Sequence, residues 1–112
     1  MRPDDIFVEK TRYSAFIQGA SELDRELRRR GIDTVVVVGT VTNICSEATA
    51  RDAMMLNYRT VLVSDANAAL SDDEHNMSLA NVLTTFGDVL STNEVIAALV
   101  ADVEIGHAVN PL

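Results

Sequence analysis

The sequence contains a single cysteine, Cys45, whose thiol has the chemistry of a nucleophile. It follows a run of β-branched residues, 34–39, and comes just before a stretch with helical spacing, 46–57. The N–H groups at a helix start favour a thiolate, and they can stabilise the oxyanion that forms when the thiolate attacks a carbonyl. The alternative is a small buried apolar residue, which is the usual setting of a free cysteine.

Lys10 is the only lysine among nine basic residues. It lies at the end of a short apolar run, 5–9, which predicts a strand, and so at the same sheet edge as Cys45. Partial shielding from water would let the lysine support negative charge during catalysis. The alternative is a surface lysine with its ammonium in water. The neighbours expected to shield it are Val8, Tyr13, Ala15 and Phe16.

Strands and helices alternate four times along the sequence. Apolar runs without polar alternation, as in 34–39, are typical of strands covered on both faces of a parallel sheet. This order predicts an α/β fold of three layers, with a parallel sheet, right-handed crossovers and helices on both faces. The predicted strands are 5–9, 34–39, 60–63 and 88–90, and the predicted helices are 21–30, 46–57, 71–85 and 92–101.

Several residues mark where the predicted helices begin and end. Gly31 and Asn57 are expected to end the first two helices. Ser71, followed three residues later by a glutamate, predicts a capping box at the third. Thr92 or Asn93 is expected to begin the last helix. The side chains expected to face inward from that helix are Val95, Ile96 and Leu99.

The composition excludes several classes of protein. The 112 residues are 47% hydrophobic and 23% charged, as in a globular domain, and no run approaches the ~20 apolar residues of a membrane span. The net charge of -8 argues against nucleic acid or an anionic membrane surface as partner. One cysteine allows no intrachain disulfide, so we expect a reducing compartment and a cytoplasmic protein.

Four groups of residues resemble, in order and spacing, the motifs of the isochorismatase-like cysteine hydrolase family. His75 and the segments 86–89 and 91–92 also fit, so the resemblance covers about residues 3–100. It implies that family's Rossmann-like α/β fold. The four groups are KTRYSAF at 10–16, GTVTNIC at 39–45, ARDA at 50–53 and VSDA at 63–66.

This resemblance assigns roles to the candidate residues. Cys45 would attack an amide or ureido carbonyl to give an acyl-enzyme that water hydrolyses, with Lys10 near the thiolate. The backbone N–H groups of Val41 and Cys45 would form the oxyanion hole, after a cis peptide bond between Thr40 and Val41. Core packing is an equal alternative for the aromatic members of the expected pocket. The residues expected around that pocket are Tyr13, Phe16, Thr42 and Asn43.

The family's catalytic aspartate has no counterpart in this sequence, because it belongs to a strand that precedes everything seen here. Asp65 is interpreted as structural or as lining the pocket edge. We therefore expect an incomplete hydrolase domain, corresponding to the C-terminal portion of the fold, over residues 1–102, and a tail over 103–112. His75 is interpreted as a solvated cap at a helix start and His107 as part of the tail, so neither predicts a metal site, and no cofactor is expected.

The leading hypothesis is a cysteine hydrolase of C–N bonds in small amide, ureido or carbamoyl substrates, impaired in this chain by the missing base. Cys45 favours this amidase chemistry over vinyl-ether hydrolysis, and we expect a homo-oligomer. The alternative is an inactive fragment or a non-catalytic α/β module that associates through an open sheet edge, with Met54 and Met55 at that surface.

Overall fold

A computed structural model describes residues 1–104, with side chains to residue 101. Helices and strands alternate from residue 23 onward, and two single turns of π-helix, Thr42–Ser46 and Val82–Phe86, each adjoin an α-helix. The helices are α1 (Leu23–Arg29), α2 (Glu47–Met55), α3 (Asp72–Asn81) and α4 (Thr92–Glu104). The strands are β1 (Thr34–Thr40), β2 (Arg59–Ala68) and β3 (Asp88–Leu90).

The three strands form one parallel sheet in the order β1-β2-β3, which confirms the predicted α/β class. The pairing of β1 with β2 is interrupted: Val37 lies opposite Leu62, but Gly39 lies opposite Asn67. Asn67 fills this interruption with its side chain, because its Nδ2 donates to the carbonyls of Val37 (3.0 Å) and Val63 (2.7 Å). One amide group thus joins the two strands where their ladder is broken.

The core lies between the sheet and the helices α2 and α3. Val37, Leu62, Ala50 and Val82 form one buried cluster there. A second cluster of Phe16, Ala53 and Tyr58 extends the core toward α1. The first cluster uses alternate side chains of β1, with Val37 buried and Val35 packed against it, since neighbouring residues of a strand point to opposite faces.

The opposite face of the sheet is covered less completely. Helix α4 contacts β2, where Val63 is buried. On β1, however, Val36 is 41% and Val38 58% exposed, so the expectation that this strand is covered on both faces is wrong for the described residues. Ile96 and Leu99 of α4 are also exposed, at 53% and 58%, because no described element packs on their side of the helix.

The predicted first strand, 5–9, does not form. Residues 5–9 contain no strand, and Lys10 makes only an isolated antiparallel bridge to Ser21. Phe7 is 70% exposed. The physical reason is the lack of a pairing partner, because an apolar run becomes a strand only where a neighbour accepts its backbone hydrogen bonds. Within residues 1–104, β1 pairs with β2 alone.

The helix ends follow their sequence signals with one exception. Gly31 and Asn57 have φ of 69° and 72°, the left-handed conformation expected after a helix. Ser71 Oγ accepts the N–H of Glu74, as the capping pattern predicts. The cap of α4 is Ser91 rather than Thr92 or Asn93: its N–H donates to the Glu94 carboxylate (2.9 Å) and its Oγ accepts the Glu94 N–H (3.2 Å).

Gly87 allows β3 to approach β2 closely. A Cβ at this position would lie 2.3 Å from the carbonyl oxygen of Thr60, so a larger residue would separate the strands. At the other end of β3, helix α4 continues through Glu104, past the expected domain end at residue 102. The rest of the expected tail, including His107, lies outside the described residues. No helix within residues 1–104 has the length and apolar character needed to cross a membrane.

Candidate active site

Cys45 lies in the tight turn that joins β1 to α2. The peptide bond between Thr40 and Val41 is cis, and the π-helical turn Thr42–Ser46 follows it directly. The amides of Ile44 and Ser46 donate to the Val41 carbonyl, at 3.1 and 3.2 Å, whereas the Cys45 amide between them does not donate to that oxygen. The turn therefore presents a half-buried thiol beside its own backbone N–H.

Lys10 and Cys45 line the same open cleft, of about 500 Å³, which runs along β1. The lysine reaches this cleft from an irregular segment and not from a strand. Its side chain is exposed, and its Nζ donates to the carbonyl of Arg12 at 2.9 Å. Tyr13, one of the residues expected to shield the lysine, is itself 68% exposed, and residues 5–9 form no strand that would hold this segment against the sheet.

The segment that carries Lys10 is attached to α2 a few residues further on. The Ala15 amide donates to Thr49 Oγ1 at 3.1 Å. Phe16 is 8% exposed, and its ring lies 5.3 Å from that of Tyr58, measured between centroids. Tyr58 is held in turn by α1, since its hydroxyl donates to the Asp24 carboxylate at 2.5 Å. Burial raises the pKa of Tyr58 to about 12, and the Asp24 carboxylate adds to this effect.

The four residues expected around the pocket occupy different places. Phe16 lines the cleft and also packs in the core. Tyr13 is 68% exposed and lines a separate depression, with Met55, on the outer side of α2. Thr42 is fully buried, and neither Thr42 nor Asn43 is among the residues lining the cleft. The Asn43 Oδ1 is buried and accepts no hydrogen bond from the residues the structure describes.

His75 is the main correction among the candidate residues. It is half-buried rather than solvated, because its imidazole spans two elements: Nδ1 lies 2.7 Å from Thr42 Oγ1, and Nε2 lies 2.9 Å from the Ser64 carbonyl. The nearby acidic residues of the helix start suggested a cap, but the ring points to the sheet. It links the turn of Cys45 to β2.

Sequence reasoning missed Ser78, which lies one helical turn after His75. Its hydroxyl is buried and lies 3.2 Å from the Thr42 carbonyl and 2.6 Å from Glu47 Oε1. Glu47 also pairs with Arg51 at 2.7 Å, and the Arg51 guanidinium lies over the Phe86 ring. The spacing of three residues places His75 and Ser78 on one face of α3, and this was the available signal.

Asp65 has a structural role in the second half of β2. Its Oδ1 accepts the Thr92 amide at 2.8 Å and the Thr92 hydroxyl at 2.7 Å. The hydrogen bond from the Thr92 hydroxyl, and next the one from the Thr92 amide, hold the pKa of the Asp65 carboxyl below its ordinary value. The carboxylate thus ties the start of α4 to β2. Among residues 1–104, no group of three or more His, Cys, Asp or Glu side chains is arranged to hold a metal ion.

Comparison with known proteins identifies the family. The Isochorismatase domain model matches residues 1–94. Among curated proteins, the uncharacterized isochorismatase family protein YwoC of Bacillus subtilis is 41% identical over 90 residues, which are 80% of this chain and 47% of YwoC. The ureidoacrylate amidohydrolase RutB of Variovorax paradoxus is 44% identical over 94 residues, which are 83% of this chain and 36% of RutB.

Solved structures show the same relationship in three dimensions. A cysteine hydrolase from Pseudomonas syringae pv. phaseolicola superposes with a TM-score of 0.84 at 38% identity, covering 90% of this chain and 52% of that one. The chain thus spans about half of the solved structure and less than half of the two curated relatives. A family model matched over most of the sequence, together with this superposition, shows that the chain belongs to the isochorismatase domain family.

Proposed function

We propose that this chain carries the nucleophile of a cysteine hydrolase that cleaves C–N bonds in small amide, ureido or carbamoyl substrates. The observation that carries the proposal is the shared cleft: Cys45, in a turn with backbone donors, and Lys10 line one groove along β1. The relative RutB, by its name an amidohydrolase of ureidoacrylate, supports the substrate class. The chemistry needs no cofactor.

The proposed reaction has two steps. The Cys45 thiolate forms a bond to the carbonyl carbon of an amide, and the negative oxygen of the tetrahedral intermediate accepts hydrogen bonds from the backbone N–H groups of Val41 and Cys45. The C–N bond then breaks, and the nitrogen leaves as ammonia after gaining a proton. Water hydrolyses the resulting thioester and regenerates the thiol. Lys10 supplies positive charge at the cleft while the intermediate is negative.

A general base is the part of this scheme that the described cleft does not supply. Its lining residues within 1–104 include no aspartate, glutamate or histidine. General-base catalysis is typically worth ~10²- to 10⁴-fold in rate. We therefore propose that this chain alone forms the acyl-enzyme slowly and turns over weakly.

Ammonia release and acyl-enzyme formation test the proposal. The unmodified chain is incubated with a panel of small amides and ureido compounds, and ammonia and the mass of the protein are followed. Cys45→Ala should abolish both signals, and Lys10→Met should reduce them. Arg25→Met, which removes an exposed cation outside the cleft, is the matched control. Equal ammonia release by the unmodified chain and Cys45→Ala would overturn the proposal.

A second candidate function is association through the open edge of the sheet. The observation that favours it is β1, which has one neighbouring strand within residues 1–104 and two exposed valines, Val36 and Val38. Unpaired edge strands tend to pair with other chains. Met55, expected at this surface, lies instead on the outer side of α2.

Sedimentation at several protein concentrations tests whether the chain forms a homo-oligomer through this edge. Val38→Lys places a charge beside the open edge and should shift an oligomer to monomer, because charged side chains oppose edge pairing. Leu83→Lys, at a residue with 59% exposure outside β1, is the matched control and should sediment as the unmodified chain does. A chain that stays monomeric at every concentration would remove this candidate.

A further inference from the structure

Two side chains of helix α3 bond to the turn of Cys45, and within the described residues both of them bond to Thr42. His75 Nδ1 lies 2.7 Å from the Thr42 hydroxyl, and Ser78 Oγ lies 3.2 Å from the Thr42 carbonyl. Thr42 is fully buried. It is also the first residue of the π-helical turn that ends at Ser46 and contains Cys45. The hydroxyl and the carbonyl of Thr42 are therefore both bonded to α3, at the residue where the turn begins.

The second contact of His75 sets the direction of these hydrogen bonds. Its Nε2 lies 2.9 Å from the Ser64 carbonyl, which can only accept, so Nε2 carries the proton. In the neutral imidazole, Nδ1 is then an acceptor, and the Thr42 hydroxyl donates to it. The result is a directed chain from the turn through the imidazole to β2. It fixes the Thr42 side chain by hydrogen-bond direction as well as by packing.

We propose that His75 is a positioning residue for Cys45, acting through the Thr42 hydroxyl. His75 is not among the residues that line the cleft, and its two ring nitrogens are occupied by Thr42 and Ser64. It anchors the start of the turn to β2, and the turn in turn places the thiol and the adjacent N–H groups. The inference rests on the proposed function, since it assigns a role in the attack by Cys45.

The physical basis is the sensitivity of nucleophilic attack to placement. A displacement of about 1 Å at the reacting atoms can lower a rate on the order of 10²-fold. Losing the Thr42 bond would allow the turn to relax while the cleft walls stay in place. The expected signature is therefore a lower maximum rate of acylation with an unchanged half-saturating concentration of the acyl donor.

Acylation by p-nitrophenyl acetate is the test, because this activated ester needs no protonation of its leaving group. The Cys45 sulfur bonds to the acetyl carbon, the ester C–O bond breaks, and nitrophenolate leaves and is measured by its absorbance. Thr42→Val and His75→Ala should each slow the maximum rate about tenfold or more. Thr42→Ser, which keeps the hydroxyl, should restore most of the rate. The double variant, Thr42→Val with His75→Ala, should be no slower than the slower single variant, because both substitutions remove the same hydrogen bond.

Each result decides a specific point. Thr42→Val acylated as fast as the unmodified chain, or Thr42→Ser slowed as much as Thr42→Val, would overturn the positioning role. A drop in urea midpoint without a change in acylation rate would show a purely structural bond and would also overturn it. Ester acylation at Cys45 with no release of ammonia from amides would overturn the proposed amide substrates while leaving the positioning role supported. No acylation of the unmodified chain at all would overturn both.

Discussion

The two stretches that bring Cys45 and Lys10 to one cleft are held by different interactions. The turn Thr42–Ser46 is bonded to α3 through buried polar groups, with hydroxyl, carbonyl and imidazole partners. The segment 10–16 has an exposed lysine and is held by the burial of Phe16, by one hydrogen bond to Thr49 and by backbone pairing of Lys10 and Thr11 with residues 20–21. The turn of the nucleophile is thus fixed by polar side-chain bonds, whereas the buried side chain of the lysine's segment lies six residues from the lysine.

The lysine side chain therefore has more freedom to move than the thiol. A long exposed lysine can adapt to a substrate, whereas the thiol is placed by its backbone. Substitution of Phe16, the hydrophobic anchor, should therefore lower the stability of the segment 10–16. Substitutions that remove the polar bonds to α3 should instead destabilise the turn Thr42–Ser46. Four variants test this division, and their expected effects decrease from the first to the last.

Removal of the hydrophobic anchor should have the largest effect. Phe16→Ala should lower the free energy of unfolding by about 3 kcal/mol, because a buried aromatic ring is lost against Tyr58 and Ala53. Urea denaturation measures this change. Phe7→Ala, at a ring with 70% exposure just before this segment, should cost less than about 0.5 kcal/mol. Similar losses in both variants would contradict the anchor.

Removal of the Ser78 hydroxyl, which bonds to the turn of Cys45, should lower the free energy of unfolding by less than the loss of the Phe16 ring does. Ser78→Ala leaves the Thr42 carbonyl and the Glu47 carboxylate without this donor, at a cost of about 2 kcal/mol in urea denaturation. Asn76→Ala, at an exposed position of the same helix, is the control and should stay near the unmodified value. An equal loss of unfolding free energy in Ser78→Ala and Phe16→Ala would contradict the expected order of the two contributions.

The Tyr58 hydroxyl supports the ring on which Phe16 packs. Tyr58→Phe removes the bond to Asp24 and should cost about 1.5 kcal/mol at neutral pH. Because the folded pKa of Tyr58 is raised to about 12 from an ordinary 10.0, its contribution is complete below pH 10.0 and is lost as the pH rises through about 12. Stability measured across this range should fall less steeply in Tyr58→Phe, and parallel profiles would count against the raised pKa.

The single hydrogen bond between the segment and α2 should contribute least. Thr49→Val removes the acceptor of the Ala15 amide and should cost about 1 kcal/mol. Hydrogen exchange at that amide should become faster. Thr49→Ser retains the hydroxyl and should keep the protection. Unchanged exchange in Thr49→Val would show that the bond to Thr49 does not hold the segment.

Much of the framework could be predicted because its signals are local. The strand 88–90 follows from a short apolar run. The left-handed conformation of Gly31 and Asn57 follows from their residue types, since glycine and asparagine adopt it readily after a helix. The prediction of a first strand over 5–9 is wrong because strand formation depends on a partner that a local pattern does not reveal. The open outer face of β1 has the same cause.

The candidate site was predictable as a set of residue types but not as a set of contacts. Cys45 and Lys10 were identified from their position after strands and from the family's motifs, and they line one cleft. The role of His75 was misjudged because its acidic neighbours were visible in sequence, whereas the Ser64 carbonyl that it contacts is brought near by the fold. Side-chain partners distant in sequence carry no local signal.

The amide of Asn67 has a consequence for the ageing of the protein. Its Nδ2 donates to two backbone carbonyls where the ladder between β1 and β2 is interrupted. Deamidation of Asn67 would replace this donor by a carboxylate oxygen, which only accepts, opposite the same carbonyls. The carboxylate oxygen would then repel the two carbonyl oxygens that the amide now joins. Slow hydrolysis of one side chain during storage would therefore loosen the sheet next to the turn that carries Cys45.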